Sequence, residues 1–268
     1  MGIRKDKITE KYFRILFVGN SFTDDTSHYI PDIAASYGYR QITVAHLFIG
    51  ACSINMHLKN LEEDSSAYYL TFDRGAGWKS YPNYSVREAA ALSEWDYVVT
   101  MGGTGDGSMA TKAESYVNLP ELMRRLKHLT GDAVGVFNMT WVGESTHKHP
   151  HIIAYEGDVG RMYRDIACVM ENTVAPMPEI NVLSPTGTAI ENARTSDHEG
   201  KFTRDGYHLD RCNGRFIAAL TFFCALTGED PRQVSFFPHG MSEKMQRIAI
   251  ESAMCALSEP YAVTTLDI

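Results

Sequence analysis

Short apolar runs alternate with longer amphipathic segments along the whole chain. The apolar runs have the length of buried strands and are bounded by turn residues; they lie at about 13–18, 41–47, 96–101, 132–138 and 180–183. Segments with helical spacing lie between and after them, at about 26–37, 52–70, 117–129, 152–172, 212–227 and 241–257. This alternation predicts an α/β protein, a three-layer α/β/α sandwich whose parallel sheet carries helices on both faces.

The crossover from about 48 to 95 is too long for a single helix. It contains a stretch rich in glycine, proline and aromatic residues, from Asp73 to Tyr84. Long insertions in compact domains are commonly functional, so this one is interpreted as a lid or rim beside a binding site; a surface hairpin fits the pattern equally well. We therefore predict a single domain over residues 1–268 with an insertion at about 71–90.

The composition is that of an ordinary soluble globular protein and argues against two classes of partner. The net charge is −8, and no basic cluster is long enough to follow a phosphate backbone. No apolar run approaches the roughly 20 residues of a membrane span. We therefore expect neither nucleic acid nor a membrane as a partner, and the pattern indicates no particular oligomeric state.

The N-terminal segment and the cysteines bear on the compartment. Met1 to Lys11 contains no apolar segment of the kind found in signal peptides. As the sequence stands we expect a cytoplasmic location, with export open if a signal peptide has been removed. The five cysteines are dispersed and never paired as Cys-x-x-Cys, which favours buried free thiols in a reducing compartment.

A serine stands at the carboxyl end of the first predicted strand. Ser21 follows the apolar run and precedes a segment with helical spacing. Open α/β sheets bind ligands at the carboxyl ends of their strands, and a following helix directs N–H groups and the positive end of its dipole toward a bound anion. The position suits a nucleophile whose attack creates an oxyanion, although a serine that merely caps the helix fits the same local pattern.

A candidate base and its orienting carboxylate lie near the other end of the chain. Asp205 and His208 are three residues apart in a glycine-containing turn that precedes an apolar helical segment. Such a turn can fold the carboxylate onto Nδ1 of the imidazole and leave Nε2 free for Ser21. A serine nucleophile needs a base of this kind, held in one tautomer by a third group.

Taken together, these segments resemble the SGNH (GDSL-like) hydrolases, which are esterases. Gly19-Asn20-Ser21-Phe22 stands where that family has Gly-Asp-Ser or Gly-Asn-Ser, and Asp205-Gly206-Tyr207-His208 matches its Asp-x-x-His. Gly50, after the second strand, matches the glycine of the oxyanion hole. The resemblance extends from Ile15 to about Gly228, and it is greater to a bacterial branch of unassigned function that carries GNSF and DGYHL motifs.

The resemblance implies a flavodoxin-like sheet of five parallel strands in the order 2-1-3-4-5. It implies Ser21, Asp205 and His208 as the catalytic residues, and the backbone N–H groups of Ser21 and Gly50 as the oxyanion hole. The chain departs from the family in its third motif, because Gly105 stands where the family has an asparagine. Thr104, the nearest hydroxyl, is a candidate substitute donor and substrate contact.

Further residues near the carboxyl ends of the strands are candidates for substrate binding. Asp25 is a candidate contact for a sugar hydroxyl, although the first turn of a helix also favours such carboxylates. Trp141 is interpreted as a stacking surface for a sugar or, equally, as a core residue. His149 belongs to the alternating histidines from His147 to His151, where no acidic or cysteine partner has metal-site spacing, so a place at the substrate rim is favoured over a metal site.

The sequence thus predicts a serine esterase that hydrolyses a carboxylic ester without a cofactor or metal. The resemblance and the aromatic residues near the site indicate a small-molecule or carbohydrate ester, with an O-acetyl group as the expected acyl group. The alternative is a non-catalytic flavodoxin-like module that binds phosphate or carbohydrate, with phosphate held by the backbone after Gly19. The Asp205–His208 turn discriminates between the two, because a phosphate site needs no histidine oriented by a carboxylate.

Overall fold

A computed structural model describes residues 11–102 and 109–268 of the chain. Within these residues, seven strands form one mixed sheet: β1 Tyr12–Gly19, β2 Gln41–Phe48, β3 Tyr68–Asp73, β4 Lys79–Tyr84, β5 Tyr97–Thr100, β6 Val134–Asn138 and β7 Val182–Ser184. Their order across the sheet is β4-β3-β2-β1-β5-β6-β7. Within this order, β2, β1, β5, β6 and β7 pair in parallel with one another. Counted among themselves these strands have the predicted order 2-1-3-4-5, which is confirmed.

The expected number of strands was wrong, because the insertion adds two strands to the sheet. β3 pairs antiparallel with the edge of β2, and β4 pairs antiparallel with β3. The predicted helix at 52–70 ends early, since Tyr68 and Leu70 alternate with exposed Tyr69 in the manner of a strand. The turn between β3 and β4 lies beside the first helix of the chain, where the Trp78 indole N–H donates to the carbonyl of His28 at 3.2 Å.

Helices cover both faces of the sheet. Those described are α1 Ser21–Ser27, α2 Ile30–Ser36, α3 Ile54–Glu62, α4 Val86–Ala90, α5 Leu119–Leu129, α6 Pro150–Ala154, α7 Val159–Val169, α8 Thr186–Arg194, α9 Asn213–Thr227 and α10 Glu243–Ser258. Short helical turns lie at Ala113–Tyr116, Met170–Val174 and Pro231–Gln233. The helix expected at 26–37 is divided into α1 and α2, and α8 was not predicted.

The core lies on the two sides of the parallel strands, as the three-layer prediction requires. On β1, Phe13, Ile15 and Phe17 face a cluster that includes residues of α2, α8, α9 and α10, whereas Leu16 and Val18 face a cluster built with α3, α5 and α7. Because both faces of β1 are buried, its apolar run is nearly continuous. No helix in the described ranges has the length and apolar character needed to cross a bilayer.

Candidate active site

The end of β1 presents Ser21 at the start of α1. Asn20 caps the helix, because its Oδ1 accepts the backbone N–H of Phe22 at 3.0 Å. Gly19 cannot carry a side chain, since a Cβ there would lie 2.2 Å from Oγ1 of Thr23. The tight turn therefore places the Ser21 hydroxyl and its first-turn N–H, which has no partner within the helix, at the carboxyl edge of the sheet.

A second loop brings the carboxylate and the imidazole together. Oδ1 of Asp205 accepts the backbone N–H groups of Tyr207 at 2.9 Å and of His208 at 2.7 Å. Gly206 has a φ of 88°, in the left-handed region that favours glycine. The Arg204 N–H donates to the His208 carbonyl at 2.9 Å and closes the turn. The loop is thus folded by its own backbone hydrogen bonds around the Asp205 carboxylate.

Ser21, His208 and Asp205 form one continuous chain of hydrogen bonds. Nδ1 of His208 lies 2.7 Å from Oδ2 of Asp205, and Nε2 of His208 lies 2.9 Å from Oγ of Ser21. Burial by itself raises the pKa of Asp205, but hydrogen bonds from the His208 backbone and ring and from the Tyr207 backbone lower it to about 2. An ionised carboxylate only accepts, so Nδ1 carries the proton and Nε2 of the neutral ring accepts the Ser21 hydroxyl.

Gly50 and Ala51 face Ser21 from the loop after β2. The side-chain amide of Asn20 donates to the carbonyl of Cys52 at 3.1 Å and holds this loop against the start of α1. Ala51 has a φ of 55°, which is uncommon for a residue with a Cβ. A Cβ at Gly50 would meet only Phe48 at 3.8 Å, so packing does not require glycine there. Gly50 and Ser21 instead line one cavity, to which Gly50 contributes no side chain.

A cavity of about 520 Å³ opens over these groups. Its lining comprises Ser21, Gly50, Ala51, His147, His149, Asp205, Tyr207 and His208. The rings of His147 and His149 lie nearly parallel to the ring of Tyr207, with centroids 5.4 Å and 4.4 Å away. Burial lowers the pKa of His149, and His147 and His208 lower it further, so these surroundings favour the uncharged form of the ring. His149 thus lines the cavity over Ser21, and its contact with substrate stays a prediction.

Asp25 does not face this cavity, contrary to its expected contact with substrate. Its side chain is fully buried, and Oδ2 accepts the backbone N–H of Leu209 at 2.9 Å. Oδ1 accepts Arg204 Nη1 at 2.7 Å and Arg215 Nε at 2.8 Å. The carboxylate points to the interior because two guanidinium groups and a backbone donor converge there. It joins α1 to the loop that carries His208.

Trp141 is also buried, which removes it as a stacking surface for a sugar. It is 1% exposed, and its ring stacks on Phe22 with centroids 4.4 Å apart. Its indole N–H donates to the carbonyl of Tyr207 at 3.0 Å. Trp141 therefore supports the wall of the cavity from behind.

Thr104 and Gly105 lie outside the described residues.

The insertion is a surface hairpin rather than a lid, since no residue from Tyr68 to Tyr84 lines the cavity. In the described part of the chain, no three histidine, cysteine or acidic side chains are arranged to hold a metal ion.

Sequence reasoning missed the contribution of Tyr207 to the wall, the second hydrogen bond of Asn20, and the arginines on Asp25. For Tyr207 the sequence offered one signal, namely its position between Asp205 and His208 in the Asp-x-x-His motif.

Fold and contacts together define a class: a three-layer α/β/α protein with a Ser–His–Asp hydrogen-bonded chain at the carboxyl edge of its parallel sheet. The chain belongs to the family described as domain of unknown function DUF4886, whose model matches residues 14–256. No curated protein matches the chain.

The chain is similar to the crystal structure of a DUF4886 family protein from Bacteroides uniformis. The two are 28% identical, with a TM-score of 0.88 over 96% of this chain and 98% of the other. The same fold therefore extends over nearly the whole of both chains. The chain is also similar to the acetylxylan esterase Axe2 from Geobacillus stearothermophilus, at 15% identity and a TM-score of 0.49 over 85% of this chain and 96% of that one. A GDSL-like lipase from Bacteroides thetaiotaomicron is 14% identical, with a TM-score of 0.43 over 80% and 86% of the chains.

Proposed function

We propose that this protein is a serine esterase that hydrolyses a carboxylic ester through an acyl-enzyme. One observation carries the proposal: the Ser21 hydroxyl lies 2.9 Å from Nε2 of an imidazole whose Nδ1 lies 2.7 Å from an ionised Asp205. A serine that only capped the helix has no need of such a base, and the capping function here belongs to Asn20. The arrangement matches the roles of nucleophile, base and orienting carboxylate.

The proposed mechanism follows from these contacts. Ser21 Oγ attacks the acyl carbon while Nε2 of His208 takes its proton, and Asp205 stabilises the resulting imidazolium. The first-turn N–H of Ser21 and the N–H of Gly50 are proposed to hold the oxyanion. His208 then gives the proton to the leaving alcohol. A water molecule, activated by the same imidazole, hydrolyses the acyl-enzyme, and no step requires a cofactor or a metal.

The lining of the cavity supports a small acyl group on a carbohydrate alcohol. The wall includes Gly50, a proposed oxyanion donor, and Ala51, and the small size of both residues suits an acetyl group. Tyr207 and His149 in the same wall supply flat rings with polar atoms, which suit the faces and hydroxyls of a sugar. We therefore propose an O-acetylated carbohydrate as the substrate class.

The alternative, a phosphate-binding module, has less support from the same residues. A phosphate at the start of α1 needs the free N–H groups of the first turn. One of these, the N–H of Phe22, is already occupied by Oδ1 of Asn20.

Covalent labelling tests the proposal directly. We expect a serine-directed fluorophosphonate to add once to the wild-type protein by intact mass, because an activated hydroxyl reacts far faster than a capping one. Ser21→Ala and His208→Ala should not be labelled, whereas Ser27→Ala, a serine at the far end of the same helix, should be labelled as wild type. A panel of p-nitrophenyl esters and acetylated sugars then identifies the acyl preference. A wild-type protein that stays unmodified and hydrolyses none of these esters contradicts the proposal.

A further inference from the structure

A second cavity adjoins the cavity over Ser21. It has a volume of about 470 Å³, and its lining shares His147 and Asp205 with the first cavity. It lies between the loop after β6 and the loop that carries the Asp205 turn, which are joined by the Glu144 N–H donating to the Gly206 carbonyl at 2.7 Å. The two cavities therefore adjoin at His147 and Asp205, so a molecule bound over Ser21 has the second cavity beside it, past these two side chains.

The charged side chains that line this second cavity differ in whether they have an interaction partner within the protein. Oε1 of Glu144 accepts the Thr203 hydroxyl at 2.9 Å and lies 3.6 Å from Arg194. Asp205 accepts the bonds of its own loop and of His208, and Arg204 is paired with buried Asp25. Both carboxylates and the arginine of the lining are thus already engaged.

Lys148 and Lys201 also line the cavity, and they differ from the other charged groups. Within the described residues neither ammonium group has a carboxylate within 4.0 Å, although the chain as a whole carries a net charge of −8. The two lysines come from separate loops and converge on one space. Two cations without a protein counterion beside a proposed active site favour an anionic ligand.

The position of the lysines indicates which part of the substrate is anionic. Gly50, a proposed oxyanion donor, lines only the first cavity, whereas the second cavity is lined by Asp205, which is bonded to the imidazole of His208, and by His147. The alcohol that leaves takes its proton from His208 and therefore lies toward that imidazole. An anionic group in the second cavity belongs to the alcohol and not to the acyl group.

We propose that Lys148 and Lys201 form a subsite for a carboxylate or sulfate on the alcohol moiety, so that the preferred substrates are acylated acidic sugars. This inference rests on the proposed esterase function. Ion pairs of exposed lysines are individually weak, so together the two account for roughly a 2- to 30-fold preference in kcat/KM. The preference decreases as salt is added, because exposed charges are screened.

Matched esters test the subsite. We compare kcat/KM for O-acetylated methyl glucoside, methyl glucuronoside and methyl glucoside 6-sulfate, which differ in the charged group. The wild type should prefer one or both anionic esters, and the Lys148→Gln/Lys201→Gln variant should lose that preference while keeping its rate on the neutral ester. Lys59→Gln, which removes an equal charge on α3, is the control. Equal rates on all esters, or a preference that survives in the double variant, overturns the subsite.

A binding measurement separates failure of the subsite from failure of the esterase. Ser21→Ala is titrated with the unacylated methyl glucuronoside, sulfated glucoside and neutral glucoside by calorimetry. Tighter binding of an anionic sugar that depends on Lys148 and Lys201 supports the subsite even if no ester is hydrolysed. Hydrolysis of esters together with charge-independent binding supports the esterase and contradicts the subsite.

Discussion

Asp25 accepts a hydrogen bond from the backbone N–H of Leu209 at 2.9 Å across a separation of 184 residues. Asp25 lies one helical turn after Ser21, and Leu209 directly follows His208. The contact therefore links the two segments that carry the nucleophile and its base. Arg204 and Arg215 complete the coordination of the same carboxylate, so the distance between Ser21 and His208 depends on one buried charged group.

We expect Asp25→Asn to lower kcat/KM by about 10- to 100-fold, because an amide donor then opposes the donors of Leu209 and the two arginines. Removing one partner of a buried ion pair also destabilises a protein by roughly 3–5 kcal/mol. The measurements are kcat and KM on an activated ester, and urea unfolding. A role in positioning predicts a fall in kcat and in the rate of Ser21 labelling, with little change in KM. Asp32→Asn, at an exposed position of α2, is the control, and a folded Asp25→Asn protein with wild-type kcat contradicts the argument.

Asp205→Asn should lower kcat by about 10³- to 10⁴-fold while leaving the fold intact, because the amide no longer selects the tautomer with a proton on Nδ1. The pKa of Asp205 is lowered to about 2, so its contribution to stability is present above the unfolded value of 3.8 and is lost as the pH falls toward 2. The rate should consequently show no titration of this carboxylate between pH 5 and 8. Circular dichroism verifies the fold of the variant, and full activity in a folded Asp205→Asn protein refutes the triad.

Asn20→Ser separates the two hydrogen bonds of the asparagine side chain. Serine is an equally good N-cap, so the bond to the N–H of Phe22 is replaced, but serine is too short to reach the carbonyl of Cys52. We expect a loss of about 1–2 kcal/mol in stability and a fall in kcat, since the Gly50–Ala51 loop is no longer held against α1. Asn20→Ala, which removes both bonds, should be less stable than Asn20→Ser. Equal kcat in Asn20→Ser and wild type shows that the loop is held by other contacts.

Two buried histidines should make the protein less stable in mild acid. Burial lowers the pKa of His46 to about 4 and that of His57 to about 3, and both side chains are fully buried. Between these values and the unfolded value of about 6.5, the unfolded chain binds more protons, so the free energy of unfolding falls as the pH decreases. The slope is up to about 1.4 kcal/mol per pH unit for each histidine. Urea unfolding from pH 7.5 to 5 should show a smaller slope for His57→Gln than for the wild type, whereas the exposed-site variant His128→Gln should keep the wild-type slope.

The residues that the sequence identified best are those whose contacts are local. Asp205 and His208 interact across a three-residue turn, and Ser21 follows directly from the end of an apolar strand. Local spacing allowed this geometry, and the family resemblance favoured it over a helix-capping serine and a surface histidine. The substrate contacts predicted for Asp25 and Trp141 were wrong, because the burial of these side chains depends on Arg215 and Phe22, partners whose proximity in space no local pattern encodes.

The two strands that the insertion adds to the sheet could also not be predicted from local sequence patterns. Tyr68 to Asp73 has too few residues to show a clear period, and it becomes a strand because the edge of β2 has unpaired backbone groups. α8 was missed since its Thr-Gly-Thr start carries weak helix formers. The parallel strands were found because burial on both faces makes their apolar runs nearly continuous.

The hairpin of β3 and β4 forms one edge of the sheet, and it therefore determines how this edge can contact other molecules. β4 is the outermost strand, and Pro82 within it has no N–H to offer. The pairing of β4 with β3 shifts register between Tyr68 and Leu70, and Asn83 has a φ of 60°, so the strand bends near its end. A neighbouring chain therefore finds no straight row of donors and acceptors on which to add a strand. The insertion protects the protein from edge-to-edge aggregation at the border where β2 would otherwise be uncovered.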